Sequence, residues 1–262
     1  MKGLSSVTIS SSPSLSTRQR ARAIALNRAL LAFARHWLLI FNLLWGVFVI
    51  APWLAPVLMK IGHERAANII YLAYATQCHQ LPQRSFFLFG LKPMYSLSEI
   101  QATWQNTNNP FLLRQFNGNP QMGWKVAWSD RMVAMWTSIF VGGLLYWPLR
   151  KRLRPLPLWA FALIFILPMA LDGGTHFLSD TADLGNGFRD SNAWLAAFSG
   201  GIFPADFYAG DALGSFNSWL RLLTGMLFSI GAVWLAYPHL QEAFAEVVRE
   251  IENKVRRTAL PV

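Results

Sequence analysis

The stretch Cys78-His79-Gln80-Leu81-Pro82-Gln83-Arg84-Ser85-Phe86 sets a thiol beside an imidazole and follows them closely with a guanidinium and a hydroxyl. A neighbouring Cys–His pair can supply a thiolate nucleophile with its base, or two ligands to a metal. Adjacent residues on a helix point about 100° apart, so direct mutual activation is not automatic, and packing or hydrogen bonding by Cys78 and His79 is the plainer alternative. Pro82 bends the chain after the pair, which puts Arg84 and Ser85 at the head of the next segment.

A second set of polar residues lies inside apolar runs. Asp172 and His176 are four apart and share a helix face. Asn217, Arg221 and Thr224 fall on one face of a later run, and Ser129-Asp130-Arg131 opens an earlier one. A charge at mid-membrane costs at least about 2.5–3.5 kcal/mol, so such residues face a bundle interior and mark function. Matched depth makes an Asp172–Arg221 ion pair natural, with His176, Asn217 and Thr224 at the same level. Folded over the helix ends, His79 would close a composite site with Asp172 and Arg221.

The elements that must position these residues are membrane spans. The chain has 262 residues, 53% hydrophobic and only 14% charged, against about 25% charged in a soluble domain. Twelve Trp and 19 Phe exclude a disordered chain, and a single Cys excludes an internal disulfide or a Cys-rich metal centre. Four apolar runs, 37–59, 129–149, 156–178 and 216–237, reach the roughly 20 residues a helix needs to cross a bilayer. The runs 66–75, 86–95 and 193–208 suit interfacial or re-entrant pieces better.

Orientation follows from Lys and Arg near the span ends. The segment before the first span, the loop between the second and third, and the tail after the fourth carry 14 of the 23 bases against four acids. This side therefore holds the whole net charge of +10, and both termini are expected in the cytoplasm of a multi-pass cell-membrane protein. Segments 60–128 and 179–215 then face outward, the latter an acidic cap with five Asp against Arg189. Basic residues split among three juxtamembrane stretches point to anionic lipid rather than nucleic acid. Residues 1–35 read as a basic, partly disordered segment, 36–238 as the transmembrane domain, and 239–262 as an amphipathic helix on the cytoplasmic surface or docked on a partner.

The motif Cys78-His79-Gln80-x-Pro82-x-Arg84-Ser85-Phe86, with Gly90 behind it, resembles the hallmark of a family of predicted membrane proteins, domain of unknown function 2085. The resemblance continues in Pro168-x-x-x-Asp172-Gly173-x-Thr175, in Ser191-Asn192 and in Arg221-x-x-Thr224-Gly225, over roughly residues 68–237. Two departures stand out. The family often has a Cys-x-Arg where this chain has Ser129-Asp130-Arg131, and often a glutamine where His176 stands. The resemblance implies an architecture and a cluster of residues, but no activity and no cofactor.

The expected fold is an all-α polytopic bundle of about four spans with short helices in 60–128. Three function classes stay open. One is a subunit or assembly factor of a membrane complex, its polar residues acting as helix glue. Another is a membrane enzyme at the outer leaflet, with His79, Arg84, Asp130, Asp172, His176 and Arg221 as catalytic candidates; Arg84 and Arg221 would hold a phosphate or carboxylate while His79 or His176 moves a proton. The third binds or transfers a lipid, solute or metal, using Arg84, Asp172, Asn217, Arg221 and Thr224 for a ligand, or Cys78, His79 and His176 for a metal.

Overall fold

The computed structural model describes residues 16–259, with side chains as far as Arg256; the Ser-rich stretch expected to form a disordered tail lies almost wholly outside the described residues. Helix α1 (Thr17–Lys60) is long and apolar, with Pro52 and Pro56 inside it and a break from helical geometry at His36 (φ −115°, ψ 16°). Then follow α2 (Glu64–Tyr74), a 3-10 turn (Pro82–Arg84), β1 (Ser85–Leu88), α3 (Leu97–Thr103), α4 (Pro110–Leu113), β2 (Gly118–Asn119), β3 (Gly123–Ser129) and α5 (Asp130–Leu149). Helices α6 (Leu158–Ala160) and α7 (Leu167–Asp183) are joined by a π-helical turn, Phe161–Ile166, into one rod. The Pro168 ring would meet the carbonyl of Ile164 in a regular α-helix, and the wider turn relieves that clash. Three short helices, α8 (Phe188–Ser191), α9 (Ala193–Ser199) and α10 (Ala205–Tyr208), precede α11 (Phe216–Ala259).

Among the described residues, four helices are long and apolar enough to cross a membrane: Thr17–Lys60, Asp130–Leu149, Leu158–Asp183 and Phe216–Arg256. The protein is an all-α polytopic membrane bundle with one small sheet. The chain divides into two compact units, residues 38–241 and a smaller one made of the chain up to Trp37 with the chain from Glu242. In the smaller unit Phe244 packs on Phe33 and Trp37 (ring centroids 5.5 and 5.4 Å), and Arg35 Nη2 donates to Glu252 Oε1 at 2.7 Å.

In the larger unit small residues let the helices approach closely. Gly143 of α5 lies against Asn42 of α1, Gly142 against Val233 of α11, and Gly231 of α11 against Phe165 of the π-helical turn. Trp45 Nε1 donates to the Trp136 carbonyl at 3.2 Å, and Tyr237 packs edge-on against Tyr146 and Phe41. Helix α5 thus stands between α1 and α11, and α11 between α5 and the α6–α7 rod.

The sheet corrects the sequence reading of residues 86–95, expected as an interfacial or re-entrant piece. They form most of β1 and the turn after it. A short apolar run cannot be told from a buried helix by periodicity, and Gly90 and Pro93 stop any helix here. The strand order is β1-β3-β2, antiparallel throughout, with Ser85 opposite Ser129 and a bulge between Ser85 and Phe87. The chain turning out of β1 closes onto β3: a Cβ on Gly90 would sit 1.9 Å from the Met122 carbonyl oxygen. Gly123, at φ +76°, would put a Cβ 2.1 Å from that of Leu88, a conformation and an approach open only to glycine. An apolar core of Val49, Ala55, Ala67, Tyr71, Val126 and Trp128 ties α1, α2 and β3 together. The sheet therefore fixes where Arg84 and Asp130 stand, one at each strand end beside the Ser85–Ser129 pair.

Candidate functional site: a buried arginine–aspartate network

At the end of the bundle where β3 runs into α5, four arginines and four aspartates from six segments interlock. Strand β3 delivers its chain to Ser129, the N-cap of α5, and Asp130 and Arg131 form the first helical turn. The α7 side chains Asp172, His176 and Asp180 repeat every four residues and so line one face. Helix α11 adds Asn217, Ser218, Arg221 and Thr224; α8 adds Arg189, and the chain ahead of α11 adds Asp211.

The pairing differs from the expected Asp172–Arg221 contact. Arg221 closes on Asp130, Nε to Oδ1 and Nη2 to Oδ2 both at 2.8 Å, and its Nη1 reaches Asp211 Oδ1 at 2.6 Å. Asp172 instead accepts from Arg189 Nη2 on Oδ1 and from Arg131 Nη2 on Oδ2, each at 2.8 Å, with the Thr224 hydroxyl at 3.1 Å. Shared depth identified both members correctly but not their partners, because the head of α5 supplies Asp130 to Arg221 and Arg131 to Asp172, while Asp211 and Arg189 from outside the apolar runs complete each one.

Arg84 forks onto Asp180 (Nη1 to Oδ2, 2.6 Å; Nη2 to Oδ1, 2.7 Å) and sends Nε to Asp211 Oδ2 at 2.6 Å. Asp211 is thus shared by Arg84 and Arg221. Burial works to raise its pKa, yet the two guanidiniums outweigh burial and hold the carboxyl well below the usual carboxylate range. Burial acts against the Arg84 charge too, but Asp211 and Asp180 win and push its pKa higher still. His176 joins the two halves of the network: Nδ1 lies 3.4 Å from Asp172 Oδ1 and Nε2 lies 3.5 Å from Asp211 Oδ1. Asn217 orders the rim by accepting from Arg189 Nε at 3.1 Å and donating to the carbonyls of Arg189 and Gly210. Asp130, Asp172, Asp211, Arg84, Arg189 and Arg221 are all buried.

Of the residues singled out in the sequence, Arg84, Asp130, Asp172, His176, Asn217, Arg221 and Thr224 meet here. Cys78 and His79 do not. Cys78 is buried and accepts from the amides of Gln80 and Ser129 at 3.3 and 3.4 Å. Burial raises the thiol pKa, but the hydrogen bond and charge of His79, with hydrogen bonds from Ser129 and Gln80, outweigh it and leave the pKa lowered. His79 itself is exposed and makes none of the network's hydrogen bonds. Among the described residues no group of three His, Cys, Asp or Glu is gathered as a metal centre.

Arg131, Asp180, Arg189 and Asp211 escaped the sequence candidates. The signal for Arg189 was its standing as the lone base in a segment of five aspartates. Lys125 escaped as well: on β3 it is fully buried and donates Nζ to the carbonyls of Gln80 and Arg114.

The network residues, Arg84 excepted, all fall within one stretch that also carries three of the four spans. Residues 121–235 match the family described as predicted membrane protein, DUF2085. The resemblance read from the sequence is therefore shown over that stretch, while the Cys78–Phe86 motif lies ahead of it. An uncharacterized protein of Methanocaldococcus jannaschii, MJ1492, is 26% identical over 171 residues, covering 62% of this chain and 83% of the relative. No solved structure matches. In three of the network's four arginines the chemistry on display is saturation. All three nitrogens of Arg84, Arg189 and Arg221 donate to groups of the chain itself.

Proposed function

We propose that this integral membrane protein is a subunit or assembly factor of a membrane complex, and that the network locks one end of its bundle. The observation carrying this reading is the saturation of the guanidiniums. An enzyme holding a phosphate or carboxylate through Arg84 and Arg221 needs free donors aimed at the substrate. Here Asp130, Asp180 and Asp211 already occupy those donors. Four Arg against four Asp also balance in charge, which suits a lock in a low-dielectric bundle. The test is purification in native lipid discs, with mass spectrometry of what stays through size exclusion. A partner protein at fixed stoichiometry, recovered again when that partner carries the tag, supports the reading; a retained headgroup lipid or metal without a partner overturns it.

The orientation proposed with it places both termini in the cytoplasm of the cell membrane and the network end outside, on the strength of the basic juxtamembrane segments. Reporters fused after Val262 and at Arg152 then read as cytoplasmic, and tags at Asn108 and Gly187 as external. A cytoplasmic Asn108 would reverse the assignment.

A further inference from the structure

The chain between the α6–α7 rod and α11 carries an apolar projection. From Ala193 to Ala205 there is no charged residue, and the large side chains point away from the protein: Trp194 is 54% exposed, Phe198 87%, Ile202 74% and Phe203 47%. Water is a poor medium for such side chains; Trp194 and Phe203 rest in part on the rings of Phe216, Phe207 and Tyr208, whereas Phe198 and Ile202 stand almost bare.

The projection is built, not loose. Asn192, held left-handed at φ 41°, donates Nδ2 to the carbonyls of Arg189 and Tyr208 at 2.7 Å each and so pins both ends. The Tyr208 hydroxyl takes the amide of Phe203 at 3.1 Å and bonds the Ser199 hydroxyl at 2.6 Å, while the Gly201 amide reaches the Ala196 carbonyl at 2.9 Å. Several of the polar groups at the tip are thereby satisfied internally, which lowers the cost of entering an interface. Trp194 and Phe207 also pack on Phe216, the first residue of α11 (ring centroids 6.1 Å each).

We infer that residues 193–204 lie in the lipid interface at the network end of the bundle, as a short in-plane anchor. Lipid is chosen over a protein by continuity. Trp194 and Phe207 rest on Phe216, and from there α11 carries further exposed apolar residues, Trp219 and Leu223, along a helix long and apolar enough to cross a membrane. A Trp at the edge of such a band sits where aromatic belts form, and α9, seven residues long, reaches only about 10 Å. That length suits lying in the interface and rules out crossing. Asn192, which holds the Tyr208 carbonyl, connects directly to Arg189 and Asn217 of the network, so the anchor is tied to the buried charges.

The experiment is site-directed spin labelling of the full chain in phosphatidylcholine–phosphatidylglycerol nanodiscs. Cys78, the one native cysteine, is replaced by Ala; if that chain does not fold, the buried native thiol is kept and labelling is confined to exposed sites. Labels go on Phe198→Cys and, in a second protein, Ile202→Cys, with Leu223→Cys as a lipid-facing reference and Gln105→Cys as a water-facing one. The expected result is high collision with oxygen and strong shielding from a water-soluble nickel chelate, as at Leu223. Nickel accessibility equal to that of Gln105 overturns the inference in favour of water. Low accessibility to both reagents overturns it in favour of a second copy or another protein seated on the projection.

Discussion

Arg221 on α11 and Asp130 at the head of α5 face each other through two parallel hydrogen bonds of 2.8 Å, 91 positions apart in the chain and both buried. Each charge is tolerable because of the other. Removing one leaves the remaining charge stranded, at a cost of about 3–5 kcal/mol. Asp130→Asn and Arg221→Leu should each destabilise by that order, and the double variant should cost clearly less than their sum. The Asp172–Arg221 combination should show a smaller coupling, since those two share no hydrogen bond. Thermal unfolding in detergent of six proteins (the native chain, Asp130→Asn, Asp172→Asn, Arg221→Leu and the two doubles with Arg221→Leu) measures both cycles, and equal couplings would contradict the pairing.

Acid should loosen the same end of the bundle. Asp211 has its pKa depressed by Arg84 and Arg221, so its stabilisation is complete above the unfolded carboxylate value, about 4, and drains away as pH falls below it. The midpoint of unfolding, followed from pH 6 downward, should drop more steeply in the native protein than in Asp211→Asn. An acid limb of equal slope in the two would remove Asp211 from the account.

The opposite limb belongs to Lys125. Burial brings its pKa down to about 7, with the Cys78 thiolate pulling upward and Arg114 adding to the depression. An unfolded lysine titrates near 10.4, so between about pH 7 and pH 10 the unfolded chain binds a proton that the folded chain does not. Stability therefore rises with pH across that window. The rise should vanish in Lys125→Met, a swap of similar length without the ammonium. Parallel melting curves for the two proteins over that range would show that Lys125 is charged in the fold.

Gly90→Ala tests the sheet. The added methyl group meets the Met122 carbonyl, so backbone must shift, at a cost on the order of 2 kcal/mol. Because β1 and β3 set the spacing of Arg84 and Asp130, the variant should also speed hydrogen exchange at Ser85 and Ser129. Unchanged exchange there would mean the network holds the strands rather than the reverse.

What the sequence disclosed about the site follows how conspicuous each charge was. Asp172 and Arg221 stand out because their neighbours are apolar, and Arg84 because it belongs to a compact motif. Asp180, Arg189 and Asp211 lie in a segment polar enough to read as solvated, and only the fold turns them inward. Lys125 was hidden differently: in Trp124-Lys125-Val126-Ala127-Trp128 the alternation of a strand is present, but burial on both faces of β3 was not to be expected from a lysine. The four spans were legible because bilayer thickness imposes a length on them. The sheet was not, since strands this short carry little periodicity.

The long sequence separations within the network have a consequence for the order in which the protein is made. Asp172 emerges from the ribosome after Arg131 and is followed 17 residues later by Arg189, so its partners arrive almost with it. Asp130 waits for Arg221, which belongs to the last span. A nascent chain that stops short of α11 has four network aspartates and only three arginines, one carboxylate in excess at the edge of the lipid. Integration of the final helix is thus what brings the intramembrane charge to neutrality. A truncated or stalled chain carries an unmatched acid at that end of the bundle.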